Sequence, residues 1–137
     1  MGVRRDARKL AVRALYTAEL LSLPLKDVWE MLTGGEVSGT SGEFAWSLCS
    51  GVHENLKFID ELVEELTLNW ETERIAAVDR AIIRMGLYEI FFEDSIPRSV
   101  SINEAVELAK YFSTGKSHKF VNGILDSASR KKSNEKK

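Results

Sequence analysis

Apolar residues recur at steps of three and four along most of this chain, and that period predicts helices. In 4–22, Ala7, Leu10, Ala11, Ala14, Leu15, Ala18 and Leu21 fall on one stripe. Leu23-Pro24 closes the segment, because a proline disfavours helical geometry in the residue before it. Leu25, Val28, Trp29 and Leu32 predict a short second helix. Residues 33–42, TGGEVSGTSG, carry no period and predict the one clear loop and the most mobile segment. The helical period resumes at Ser41 through Phe44, Leu48 and Val52, then runs through Leu56, Ile59, Val63 and Leu66. Gly51 is the candidate break between two helices there. Segment 74–93 is apolar nearly all round, with only a narrow polar edge at Asp79, Arg80 and Arg84. Such a helix must be surrounded by others, so it is expected at the centre.

Two further helices follow. Ser101-Ile-Asn-Glu104 has the spelling of a capping box, with Val100 placed to staple onto Ala105. Ile102, Val106, Ala109 and Phe112 would form the buried stripe behind it. Ser113-Thr114-Gly115 ends this helix, and Ser117 is placed to cap the last one, with Phe120, Val121, Ile124, Leu125 and Ala128 facing inward. No strand pattern and no fixed-period repeat is visible. The predicted fold is all-α, about seven helices in one domain over 1–128, followed by a basic tail, 129–137, expected to fray.

Composition adds exclusions. The chain has 137 residues, 44% hydrophobic and 29% charged, an ordinary balance for one globular domain. No apolar run approaches the roughly 20 residues that span a bilayer, and no signal peptide is seen. Cys49 is the single cysteine, so no internal disulfide can form and a reducing cytoplasm is the expected location. With His53 and His118 as the only histidines, a four-ligand zinc site is out of reach. No GxSxG, phosphate-binding glycine loop or HExxH occurs. Neither an enzyme, nor a metal, nor a cofactor is expected, and Cys49 reads as core filler.

Charge changes the picture more. The net charge of −2 is segregated: residues 1–13 hold five cations against one acid, 14–115 hold seven against eighteen, and 116–137 hold seven against two. Arg4, Arg5 and Arg8, with Lys9 beside them, open a helix where the macrodipole disfavours cations by about 0.3–1 kcal/mol each. A phosphate partner would reverse that penalty; a solvated basic tail would also fit. At the other end, Lys116, His118, Lys119 and Asn122 lie along the polar side of SHKFVNGILD, residues 117–126, and Phe120 borders its apolar stripe. These side chains suit phosphates, base edges and an unpaired base. Gly123 costs about 1 kcal/mol inside a helix. Close approach of a neighbouring helix, or of a ligand, would account for it.

The run VDRAIIRMGLYEIFFEDSIPRSVSINEAVELAKYFSTGKSHKFVNGILD, residues 78–126, resembles the C-terminal half of the NusB family of bacterial transcription antitermination factors. RRDARKLAVRALYTAEL, residues 4–20, resembles that family's first helix. The resemblance implies an all-helical fold of two three-helix-like halves. It implies binding to the boxA element of nascent RNA together with NusE, a small-subunit ribosomal protein. It also implies entry into RNA polymerase complexes that suppress termination, notably on ribosomal RNA operons. By position, RNA contacts fall on Arg4, Arg5, Arg8 and Lys9 and on His118, Lys119, Phe120 and Asn122; NusE contacts fall on Tyr16, Asp79, Arg80 and Arg84. Self-association covering the RNA surface is a further state the family allows. Lys116 departs from the family, which commonly has polar or acidic residues before SHKFVNG, and is expected to strengthen RNA binding. A helical protein adaptor with no RNA contact is the competing reading. A methyltransferase fused to such a domain would need a βαβ pattern that this chain lacks.

Overall fold

Helix α5, Ala77–Phe92, is the axis of the fold, as its all-round apolar pattern requires. Ala81, Ile82, Ile83, Met85, Leu87 and Ile90 are all buried, each large aliphatic side chain contributing on the order of 1.5–3 kcal/mol by leaving water. The computed structural model describes residues 3–35, 39–67 and 75–135. Residues 36–38 of the predicted loop, residue 74 of the predicted central segment and residues 136–137 of the predicted tail lie outside them. The described residues hold six other helices: α1 (Val3–Leu21), α2 (Leu25–Thr33), α3 (Gly39–Glu54), α4 (Leu56–Leu66), α6 (Arg98–Phe112) and α7 (Ser117–Glu135). α1 packs on α2 and α3; α6 and α7 pack on each other and on α5; α1, α3 and α4 also touch α5, so the two groups share one core.

Several local expectations are corrected. Gly51 does not break a helix. α3 runs through it to Glu54, and the break falls at Asn55, whose side-chain amide donates to the Gly51 carbonyl at 2.8 Å. Gly51 is instead a seat for the Tyr88 ring, since a Cβ there would lie 2.2 Å from it. Gly86 does the same for Leu125, at 2.7 Å. The predicted loop shrinks at both ends: Thr33 closes α2, and α3 already begins at Gly39.

The capping box does not form. α6 starts at Arg98, directly after Pro97, whose fixed φ of −58° suits a helix entry. Ser101 and Glu104 are thereby drawn inside the helix, and both side chains are used across the fold instead of along it. The buried stripe rotates accordingly to Ser101, Ala105, Leu108 and Ala109, while Val100 stays exposed and Ile102, Val106 and Phe112 are half-buried. Ser117 does not cap α7 with its hydroxyl, which donates to Asp79 at 2.8 Å.

The basic tail does not fray over 129–135, where α7 continues. Lys132 is buried: its ammonium donates to the Ile90 carbonyl at 2.7 Å and to Asp94 at 2.8 Å, and lies 5.8 Å from the Phe91 ring centroid. Arg98 donates to the Ser129 carbonyl at 2.7 Å, and Lys131 pairs with Glu65. These bonds tie two of the tail's five cations, Lys131 and Lys132, to the body of the fold.

Candidate nucleic-acid interface

The four cations at the start of α1 have three different fates. Arg8 turns inward. Its guanidinium makes two 2.8 Å hydrogen bonds to Glu89 of α5, and both side chains are almost wholly buried. The Ser101 hydroxyl donates to the same carboxylate at 2.8 Å, so α1, α5 and α6 meet at one charged centre. Burial therefore gives Arg8 a positioning role in place of the predicted phosphate contact. Arg5 is intermediate. It grips Glu104 with two bonds, at 2.8 and 3.0 Å, yet remains partly open to solvent. The hydrogen bond and charge of Arg5 hold the Glu104 carboxyl below its ordinary value, against the opposing effect of burial. Arg4 is exposed, and Lys9 is half-buried with its ammonium over a ring. Each rests on an aromatic ring, Arg4 at 4.6 Å from the Phe44 centroid and Lys9 at 4.0 Å from that of Tyr111.

The α1–α6 seam carries this surface towards α7. Arg5 meets Glu104, Lys9 meets Tyr111 and Tyr16 meets Phe112, edge to face at 6.3 Å, so the two helices run in the same direction. Two shallow grooves follow the seam. One, of about 300 Å³, is lined by Arg4, Arg5, Arg8, Val100 and Glu104. The next, of about 260 Å³, is lined by Arg5, Lys9, Glu107, Leu108, Lys110 and Tyr111. Past Phe112 the Ser113 hydroxyl donates to Ser117 at 3.0 Å, holding the turn that exposes Lys116 and starts α7. On α7, Lys119 and Asn122 are exposed, while His118 and Phe120 are half-buried and Phe120 packs against the core. Sequence reasoning misses Lys110 and Tyr111. A signal for them is present: they fall outside the apolar stripe, at the end of a helix that leads into the basic segment.

Gly123 is exposed, and a Cβ there would meet nothing within 4 Å. Helix packing does not explain it. Gly123→Ala is expected to stabilise the protein by up to about 1 kcal/mol, seen as a raised Tm. A lowered Tm would reveal a contact at this position. Weaker RNA binding by a stabilised variant would place the nucleic-acid backbone at the glycine.

The polar edge of α5 is not a solvated strip. Asp79 is buried and accepts from Ser117, while its Oδ1 has no hydrogen-bond partner among the described residues. Arg80 pairs with Glu19, and Arg84 bridges Glu19 and Asp60, with 2.8 Å contacts to each. Partial burial pushes Glu19 upward, but hydrogen bonds from Arg80 and Arg84 outweigh it and leave the carboxyl below its ordinary value. Burial likewise opposes the Arg84 charge, and the bonds it donates to Asp60 and Glu19 more than offset it. These charges bind α5 to α1 and α4. Tyr16 is half-buried against Phe112 and stands three residues before Glu19 on α1.

No group of three His, Cys, Asp or Glu residues suited to a metal occurs among the described residues, and none of their helices is long and apolar enough to cross a membrane. Cys49 is buried in α3, and burial pushes its thiol up to about 12, far from a reactive thiolate.

Known proteins match this arrangement along nearly its whole length. The family model described as the NusB family matches residues 5–130. The transcription antitermination protein NusB of Geotalea daltonii is 41% identical over 135 residues, covering 92% of this chain and 93% of the relative. The T. maritima NusB structure superposes with a TM-score of 0.85 at 36% identity, over 93% of this chain and 90% of that one. At 24% identity, a chain of the crystal structure of antitermination factors NusB and NusE in complex with dsRNA shares the fold, with a TM-score of 0.85 over 95% of this chain and 98% of that one. The chain belongs to the NusB family, whose curated relatives here are transcription antitermination proteins.

Proposed function

We propose that this protein is a non-enzymatic transcription antitermination factor of the cytoplasm that binds boxA-containing RNA together with NusE. In this reading it delivers them to RNA polymerase complexes, notably on ribosomal RNA operons. What supports the RNA part is that Arg4, Lys116 and Lys119, from the two basic ends of an otherwise acidic chain, are exposed, and that grooves lined by α1 and α6 cations run along the α1–α6 seam. Arg4, Lys9, Lys116 and Lys119 supply charge to phosphates. Arg5 shares its charge with Glu104 and sets the edge of the groove. His118, Phe120 and Asn122 border the same surface at the start of α7. Arg8 holds α1 in place from within. NusE is assigned to the side bordered by Tyr16, where Asp79, Arg80 and Arg84 fix the surface through their internal bonds.

Filter binding of a boxA-containing RNA, with and without NusE, tests this. NusE is expected to raise RNA affinity, and linkage then requires RNA to raise NusE affinity by the same factor. No retention of RNA in either condition would reduce the protein to a protein-binding adaptor. Lys116→Asp is expected to weaken RNA binding and to shrink the slope of log affinity against log salt by about 0.7, the loss of one single-strand phosphate contact. An unchanged salt titration would remove Lys116 from the interface.

A further inference from the structure

Tyr111 is out of place as a structural residue. α6 buries Ser101, Ala105, Leu108 and Ala109, and that stripe is complete without it. The residue is 57% exposed, more than any other aromatic residue that faces solvent among the described residues. It stands in the groove lined by Arg5, Lys9, Lys110 and Glu107, where Lys110 donates to Glu107 at 3.3 Å in an exposed pair and Arg5 is held by Glu104. Its plane is set from two sides: the Lys9 ammonium lies 4.0 Å from the centroid, and the Phe112 ring meets it at 4.9 Å and 89°. An aromatic ring held open among cations is the arrangement by which proteins seize single-stranded nucleic acid, the ring taking a base and the cations its phosphates. Phe120, the aromatic that the sequence singles out, is packed against the core and offers less surface.

We propose that Tyr111 is a stacking platform for an unpaired base of single-stranded RNA, with Lys9, and Lys110 released from its exposed pair with Glu107, holding the flanking phosphates. The inference rests on the RNA-binding reading above and deepens it by naming the side chain that takes a base. Bases in an A-form duplex are stacked on each other and cannot reach such a ring. Lys9 acts twice, orienting the ring in the free protein and meeting phosphate in the complex.

The test uses the full chain and three variants, Tyr111→Ala, Tyr111→Leu and Tyr111→Phe, with folding checked by thermal denaturation. Leucine keeps apolar cover over the seam but cannot stack, so it serves if the alanine variant is unstable. Each protein is titrated with single-stranded boxA RNA, and with the same RNA annealed to its complement, over a range of salt. Alanine and leucine are expected to weaken single-strand binding by about 5- to 100-fold, the range of one base–aromatic stack. Phenylalanine should bind like the parent protein. The salt slope should stay unchanged, because no phosphate contact is removed, and duplex binding should be unaffected. The proposal is overturned if the leucine variant binds single strands like the parent, which leaves the RNA reading intact. It is also overturned if the loss is equal on duplex and comes with a smaller salt slope, which would trace it to a displaced Lys9. Failure of the parent protein to bind either RNA would defeat both readings.

Discussion

Glu89→Ala is expected to destabilise the protein by about 3–5 kcal/mol, the usual cost of leaving one partner of a buried ion pair alone. The Arg8 guanidinium, 3% exposed at its side chain, would keep its charge, lose both bonds to Glu89 and be left with the longer, 3.8 Å contact to Glu104. The Ser101 hydroxyl would lose its acceptor at the same time. Urea denaturation reads the effect as a lower midpoint at an unchanged m-value. The pair need not be net stabilising. Replacing the whole centre, as Arg8→Met, Glu89→Leu and Ser101→Ala together, is expected to recover most of the loss, because no uncompensated charge remains. Arg5→Ala is the contrasting case: its pair with Glu104 is open to solvent, so the midpoint should hardly move. A Glu89→Ala loss below about 1 kcal/mol would mean that water reaches the centre, and would end its role as the lock between α1, α5 and α6.

That lock also shows where the sequence stops being legible. A glutamate among Leu87, Ile90 and Phe91 in the most apolar helix signals a buried acid in need of a cation. Nothing local says that the cation lies 81 residues away. For the same reason the basic cluster at 4–9 reads as one surface, although one of its arginines belongs to the core. The capping box misleads in the opposite direction. Its local bonds are real options, but Pro97 starts the helix earlier, and Glu89 and Arg5 offer Ser101 and Glu104 charged partners that the helix end cannot match. Lys132 could have been found. It continues the stripe of Leu125 and Ala128 at helical spacing, and a lysine stem can fill an apolar position if its ammonium finds oxygens. The helices themselves are legible because period and core coincide: α1, α2, α5 and α7 sit where the apolar stripes place them. The proposed binding surface is less so, since it combines the two ends of the chain with a middle piece, Lys110-Tyr111, whose one signal is that it falls outside the apolar stripe.

Neutralising Arg4, Lys9 and Lys119 together, each to glutamine, is expected to lower affinity for boxA RNA at least about tenfold, since charge-assisted contacts carry roughly 1.5–3 kcal/mol each. It should also shrink the slope of log affinity against log salt by about 2, near 0.7 for each single-strand phosphate released. All three side chains lie outside the buried core, so thermal stability should be kept. Arg8 is deliberately left in place, because any change there would confound binding with the loss of the Glu89 lock. The control removes charge from elsewhere: Lys26→Gln and Lys57→Gln, on α2 and α4 outside the buried core, should alter neither affinity nor slope beyond a small general effect. The acidic middle of the chain makes this contrast sharp. A protein with a net charge of −2 attracts RNA only if its cations act locally, within about a Debye length of the strand, near 8 Å at physiological salt. Equal losses from the triple variant and the control would mean that overall charge governs binding, and the α1–α6–α7 surface would lose its claim as the RNA site.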